Sequence, residues 1–226
     1  MGGRGATIED MNIAVLLYDG VTALDAIGPY EVLHRIPGVQ IVFVGERAGE
    51  IVTDSNSLRL VATRSISETQ APDILVVPGG PGTRDLRKLE PLISWIRDVH
   101  ERTQWTTSVC TGALLLGAAG VLDGVEATTH WAAMESLRQF GACPVSKRFV
   151  CAGNIVTAAG VSAGIDMALW LAGEIAGAKA AQQIQLAIEY DPQPPFDSGS
   201  PEKAQAEIKV AVMTRPAATL TRSVSH

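Results

Sequence analysis

The chain has 226 residues, 46% of them hydrophobic, with 18 basic against 24 acidic side chains and a formal net charge of −6. That is enough apolar material for one large core, so a single domain is expected. The acidic balance and the lack of a basic run speak against a nucleic-acid surface, and no apolar stretch reaches the roughly 20 residues of a membrane span.

Residues 1–10 (MGGRGATIED) have no apolar signal-peptide region. They read as a flexible leader, with Met11 as a candidate natural start. Residues 12–18 (NIAVLLY) are a nearly continuous apolar run, the pattern of a strand buried on both faces and hence parallel. Asp19-Gly20 turns the chain. Residues 23–35 carry apolar side chains at helical spacing and stop before Pro37-Gly38. A second strand follows at 39–44 (VQIVFV). Residues 50–66 alternate around Asp54-Ser55-Asn56, which suggests a hairpin or small subsidiary sheet.

Residues 73–77 (DILVV) form another buried strand, cut off by Pro78-Gly79-Gly80-Pro81-Gly82. An amphipathic helix is predicted over 89–102, a strand over 105–109 (WTTSV) and a largely buried helix over 111–121. A short helix at 134–140 precedes two strands, 149–151 and 155–158, which flank a Gly153-Asn154 hairpin turn. Helices at 162–175 and 178–188 close the domain. This alternation predicts an α/β fold over residues 11–190, a parallel sheet sandwiched between helices. Residues 191–226 open with the Pro- and Ser-rich DPQPPFDSGSPEKA and read as an extended C-terminal extension.

The sharpest chemical signal is Ser108-Val109-Cys110-Thr111-Gly112. It places a cysteine where a buried strand gives way to a helix, as in a nucleophile elbow. Such a turn sets the thiol at the carboxyl edge of the sheet, where open α/β folds bind ligands. The start of the helix would favour thiolate over thiol. Gly79 and Gly80 follow a buried strand, and their amides, with that of Thr111, could line a hole for developing negative charge. A plain tight turn is the simpler alternative for that loop. Asp25, among apolar neighbours after the first strand, belongs to the same edge. A carboxyl group there, close to a thiolate, would have its pKa raised and could carry a proton. Cys143 and Cys151 have no such context. Three cysteines without a signal peptide point to a reducing cytoplasm, and no CxxC or HxxxH spacing suggests a metal.

The PGG loop, the SVCTG elbow, the ATTHW segment and TAAGVSAGID together resemble the ThiJ/PfpI superfamily, a class I glutamine amidotransferase-like group with a flavodoxin-like fold. The resemblance runs from about Asn12 to Tyr190. LDAIGP, VPGGPG, SVCTGALLLGAAGVL, ATTHWA and the tail EYDPQPPFDSGSPEKA are similar to the isocyanide hydratase branch. The resemblance implies a cofactor-free, metal-free homodimer with Cys110 as nucleophile, Asp25 as its acidic partner and Thr111 as a hydroxyl neighbour. The expected reaction is addition of water to an isocyanide through a covalent cysteine thioimidate, in a pocket of apolar side chains. His130, in the ATTH segment, is expected to pack rather than react. Two alternatives stand beside this. One is a glyoxalase- or deglycase-like enzyme acting on α-oxoaldehydes, which would want a glutamate and a histidine near Cys110. The other is the ligand-sensing domain of AraC-type regulators, which would need about 100 further residues bearing two helix-turn-helix motifs.

Overall fold

Parallel strand pairing organises the structure, a computed structural model that describes residues 11–86 and 90–214. The expected leader at 1–10 and the end of the tail, 215–226, lie outside the described residues. In chain order, β1 (Asn12–Leu16) leads to α1 (Ala23–Leu33) and back to β2 (Gln40–Gly45). The hairpin β3 (Gly49–Val52) and β4 (Arg59–Ala62) and a two-residue β5 (Arg64–Ser65) follow. Next come β6 (Ile74–Val77), α2 (Thr83–Leu86), α3 (Glu90–His100), β7 (Trp105–Val109) and α4 (Gly112–Ala118). After them lie β8 (Glu126–Ala127), α5 (Met134–Arg138), β9 (Cys143–Pro144), β10 (Phe149–Ala152) and β11 (Ile155–Ala158). The helices α6 (Ala163–Ala176), α7 (Ala178–Ala187) and α8 (Ala206–Thr214) complete the described chain.

The main sheet has the order β10-β11-β7-β6-β1-β2-β5, parallel throughout except for the β10–β11 edge hairpin. Its strands are apolar runs because they are covered on both faces. Consecutive residues Ile13 to Leu16 and Ile74 to Val77 are wholly buried. Helices α1 and α6 pack on each other, as do α3 and α4. In α3 the buried side chains Leu92, Ile93, Trp95, Ile96 and Val99 recur at helical spacing, which fixes the face it turns to the sheet.

The five strands β2-β1-β6-β7-β11 follow the flavodoxin-like order 2-1-3-4-5, in which the strand order, not the strand direction, reverses between β1 and β6. A crevice opens at the carboxyl ends of strands at such a point. The register sets what reaches it. Val77 pairs with Ser108, and Val109 with Ala158, so Pro78-Gly79, Cys110 and Ala159 leave their strands at one level.

Two details depart from the sequence reading. Residues 206–214 form α8 rather than continuing an extended tail. In AEIKVAVMT the charged Glu207 and Lys209 are interleaved with apolar residues and not gathered on one face, so the segment lacks the periodicity that marks a helix in sequence. Cys143 lies in β9, which pairs with β8 in a two-stranded sheet. Cys143 and Cys151 are both free and exposed.

Candidate active site

Cys110 sits at φ +56, in the left-handed region. For a non-glycine residue this conformation costs about 1–2 kcal/mol. Backbone contacts hold it there. The Cys110 N–H donates to both Ala158 O (3.1 Å) and Ala159 O (2.8 Å), and Thr129 Oγ1 donates to Cys110 O at 2.7 Å. Helix α4 starts two residues later. Gly112 permits that close approach, since a Cβ there would lie 2.0 Å from Val77 O. The thiol is 6% exposed.

Asp25, in the first turn of α1, is fully buried beside it. Its Oδ2 accepts the Gly79 N–H at 3.0 Å, while Oδ1 is buried without a hydrogen bond. Burial raises the carboxyl pKa to about 7, and the Asp54 carboxylate adds to the rise. The Gly79 amide and Cys110 pull it the other way. Burial also pushes the Cys110 thiol up, and the neighbouring Asp25 carboxylate pushes it further. The amide and hydroxyl of Thr111 oppose the shift. The thiolate expected from the helix start is therefore outweighed. While Asp25 is ionised, desolvation and its charge keep the proton on sulfur. The two groups together retain at least one proton at neutral pH.

The glycine loop is used differently from the expected anion hole. The Gly79 amide is taken by Asp25, and the Gly80 amide donates to Thr111 Oγ1 at 2.9 Å. The loop thus clamps two side chains of the site, and the Thr111 amide is the one directed at sulfur. The fit is tight. A Cβ on Gly79 would come within 2.4 Å of Thr111 N, and Gly80 has φ +136. Cys110, Asp25, Thr111, Gly79 and Gly80 are thus brought together from three turns at one sheet edge.

Sequence reasoning missed a second ring of residues. The Tyr18 hydroxyl donates to Pro78 O at 2.7 Å, behind the glycine loop. Its burial, with the charges of Asp25, Cys110 and Asp54 nearby, raises its pKa. Thr22, the residue before α1, donates its hydroxyl to Asp54 at 2.7 Å and its amide to Gly79 O at 2.9 Å. The β3–β4 hairpin is thereby pinned to the helix that carries Asp25. The only sequence signal for Tyr18 was its place at the carboxyl end of a buried strand. Asp54 had none beyond its turn.

His130 accepts the Ala132 amide at 3.3 Å and packs near Trp131 and Gly160. Burial lowers its pKa, so the ring is neutral. No described histidine hydrogen-bonds Cys110 or Asp25. A cavity of about 830 Å³ adjoins the elbow, with Thr129 and Ala159 in its wall and Leu24 on the α1 side. Trp131, Met134 and Val161 are apolar contributors, but Lys147, Arg148 and several hydroxyls also line it, so the expected apolar pocket is in fact mixed. Among the described residues no His, Cys, Asp or Glu cluster could hold a metal ion.

The DJ-1/PfpI family model matches residues 11–174. An isonitrile hydratase of Pseudomonas putida is 43% identical over 210 residues, covering 93% of this chain and 92% of that protein. A regulator of the helix-turn-helix type from Pseudomonas aeruginosa is 30% identical over 60% of this chain and 41% of its own length. Among solved structures, a ThiJ/PfpI family protein from Pseudomonas syringae superposes with a TM-score of 0.88 at 36% identity, covering 90% of this chain and 85% of that one. Drosophila melanogaster DJ-1beta shares the fold with a TM-score of 0.72 at 21% identity, over 80% of this chain and 98% of its own.

Proposed function

The chain belongs to the DJ-1/PfpI family, and from that premise we propose that it is an isocyanide hydratase, converting R–NC and water into an N-substituted formamide. The observation that carries the reading is a buried carboxyl group with its pKa raised to about 7, set beside the elbow thiol with no histidine on either among the described residues. An isocyanide must receive a nucleophile and a proton at the same carbon. A thiol and an acid side by side supply both. An α-oxoaldehyde needs a proton moved between adjacent carbons, a task for which the His130 ring, already capping Ala132, is poorly placed.

Sulfur attacks the isocyano carbon while the thiol proton passes by way of Asp25 to that carbon, leaving the thioimidate R–N=CH–S–Cys110. The Asp25 carboxylate then takes a proton from water as the water oxygen adds to the same carbon, and returns it to nitrogen. The adduct R–NH–CH(OH)–S–Cys110 collapses. Its C–S bond breaks, and the hydroxyl proton goes back through Asp25 to sulfur. Thr111, fixed by the Gly80 amide, keeps its own amide and hydroxyl on the sulfur as charge builds there.

Mass spectrometry of the enzyme quenched during turnover of an aryl isocyanide tests this directly. The expected result is an adduct of one substrate mass on the Cys110 peptide, together with the N-aryl formamide. An enzyme inert to a panel of alkyl and aryl isocyanides would overturn the substrate class. An adduct confined to Cys143 or Cys151 would overturn the nucleophile.

No helix among the described residues is long and apolar enough to cross a membrane. We infer a cytoplasmic homodimer, supported by the large apolar surface left open on one copy. Phe196 and Leu186 are 80% and 77% exposed, and Val210, Val212 and Met213 of α8 are also exposed. Light scattering on enzyme from the soluble cell fraction should give twice the chain mass, and a monomer at micromolar concentration would overturn it.

A further inference from the structure

The cavity beside the elbow carries a charge that hydration of a simple isocyanide does not use. We propose that the isocyanide this site takes bears a carboxylate at the end remote from the isocyano group, and that Lys147 binds it. The inference rests on the hydratase reading.

Among the described residues Lys147 and Arg148 are the cations that line the cavity, and the structure separates their roles. Arg148 is already committed. Its guanidinium bonds the Asp166 carboxylate and donates to Ser162 Oγ at 3.0 Å, so it works as a strut between the β10 side and the start of α6. Lys147 makes no ion pair and no side-chain hydrogen bond among the described residues. Glu202, the acid in the same wall, has other partners. The Ser200 hydroxyl and an amide of its own turn bond its carboxylate, Lys209 faces it, and its pKa is held below the usual range. His130 is neutral. The wall at Val161 and Ser162 is the turn leading into the 14-residue α6; the amides of Ala163, Gly164 and Ile165 bond the carbonyls of Gly160, Val161 and Ser162, so the helix contributes its dipole there rather than free amides. The acid in that first turn, Asp166, is the one Arg148 neutralises. What remains is an exposed lysine with no ion-pair partner among the described residues, in the wall of the same cavity as the start of α6, on a chain whose net charge is −6.

The placement relative to sulfur gives the ligand its polarity. Thr128 Oγ1 donates to Lys147 O at 3.2 Å, and the adjacent Thr129 holds Cys110 O. The backbones that carry Lys147 and Cys110 are therefore joined through residues 128–129, and Trp131 and Met134 supply apolar wall in the same cavity. The negative charge shared by Cys110 and Asp25 repels a carboxylate, and Lys147 attracts it. An anionic isocyanide is thus oriented with its neutral isocyano end towards sulfur.

The test compares 4-isocyanobenzoate with 4-isocyanobenzamide, close in shape but differing by one charge, on the full chain. Wild type should favour the benzoate in kcat/KM by about tenfold, the size of one partly solvated charge-assisted hydrogen bond. The ratio should fall to near one in Lys147→Gln and below one in Lys147→Glu. A wild-type ratio of one, or a preference that survives in Lys147→Gln, overturns the inference. If the benzamide is hydrated without any preference for the benzoate, the hydratase reading stands and the anionic substrate does not. Hydration of neither overturns both.

Discussion

Replacing Cys110 with alanine should remove formamide formation, with a loss on the order of 10⁴-fold or more in kcat. No second thiol interacts with Asp25, since Cys143 and Cys151 are exposed on the β8–β9 and β10–β11 strands. The variant should still fold. The left-handed backbone at position 110 is imposed by Ala158, Ala159 and Thr129, and alanine pays the same conformational cost there as cysteine. Cys110→Ser is the sharper case, because it keeps the shape of the side chain and replaces a soft, polarisable sulfur with a hard oxygen of much higher pKa. It should be equally inactive. Formamide production by Cys110→Ala at the wild-type rate would end covalent catalysis at this site. Steady-state kinetics with product quantified by chromatography, alongside thermal melts of both variants, reads chemistry and folding separately.

The second large effect is expected at Asp25. Asp25→Asn keeps an acceptor for the Gly79 amide but can neither take the thiol proton nor return it. A loss of about 10²–10⁴ in kcat follows from removing general acid–base catalysis. In the proposed mechanism the form with one proton between sulfur and carboxyl is the one that reacts, so wild-type kcat/KM should rise with pH through about 7, as the second proton leaves. That rise should vanish in Asp25→Asn. Stability should move the opposite way. The folded-state pKa of Asp25 lies above its ordinary value of 3.8, so its contribution to stability is complete below about 3.8 and is lost as pH rises through about 7. At pH 8 the wild type holds a buried carboxylate that the asparagine variant does not. Asp25→Asn should therefore melt at a higher temperature than wild type at pH 8, with the gap narrowing towards pH 5. An unchanged pH profile in the variant would place the ionisation elsewhere.

The parts of this site that were legible in the sequence are those set by local pattern. The apolar runs of β1 and β6 announce parallel strands, and β7, with its buried hydroxyls, lies beside them. A cysteine, a pair of glycines and an aspartate just past their ends mark the carboxyl edge. What was hidden depends on contacts distant in sequence. Nothing local tells that the Gly79 amide is spent on a side chain 54 residues earlier, or the Gly80 amide on one 31 residues later. Tyr18 and Asp54 joined the site through the same kind of long-range contact. The thiolate expectation failed because the start of a helix is visible in sequence and depth of burial is not. The cavity was misjudged as apolar because Lys147 and Arg148 reach it from a segment that reads as an ordinary solvated loop.

The burial of Cys110 and Asp25 also constrains the bookkeeping of charge along the reaction. Two groups this deeply buried have little water around them to solvate a newly created ion, so every step that makes one there would carry a large penalty. The pair enters with one negative charge and leaves with one. The isocyano group is neutral on entry, and the formamide group is neutral on exit. Each proton released at one atom is taken up at another within the same site. The proposed chemistry thus proceeds at constant net charge, which lets a buried pair carry out hydration once the single water molecule it needs has been admitted.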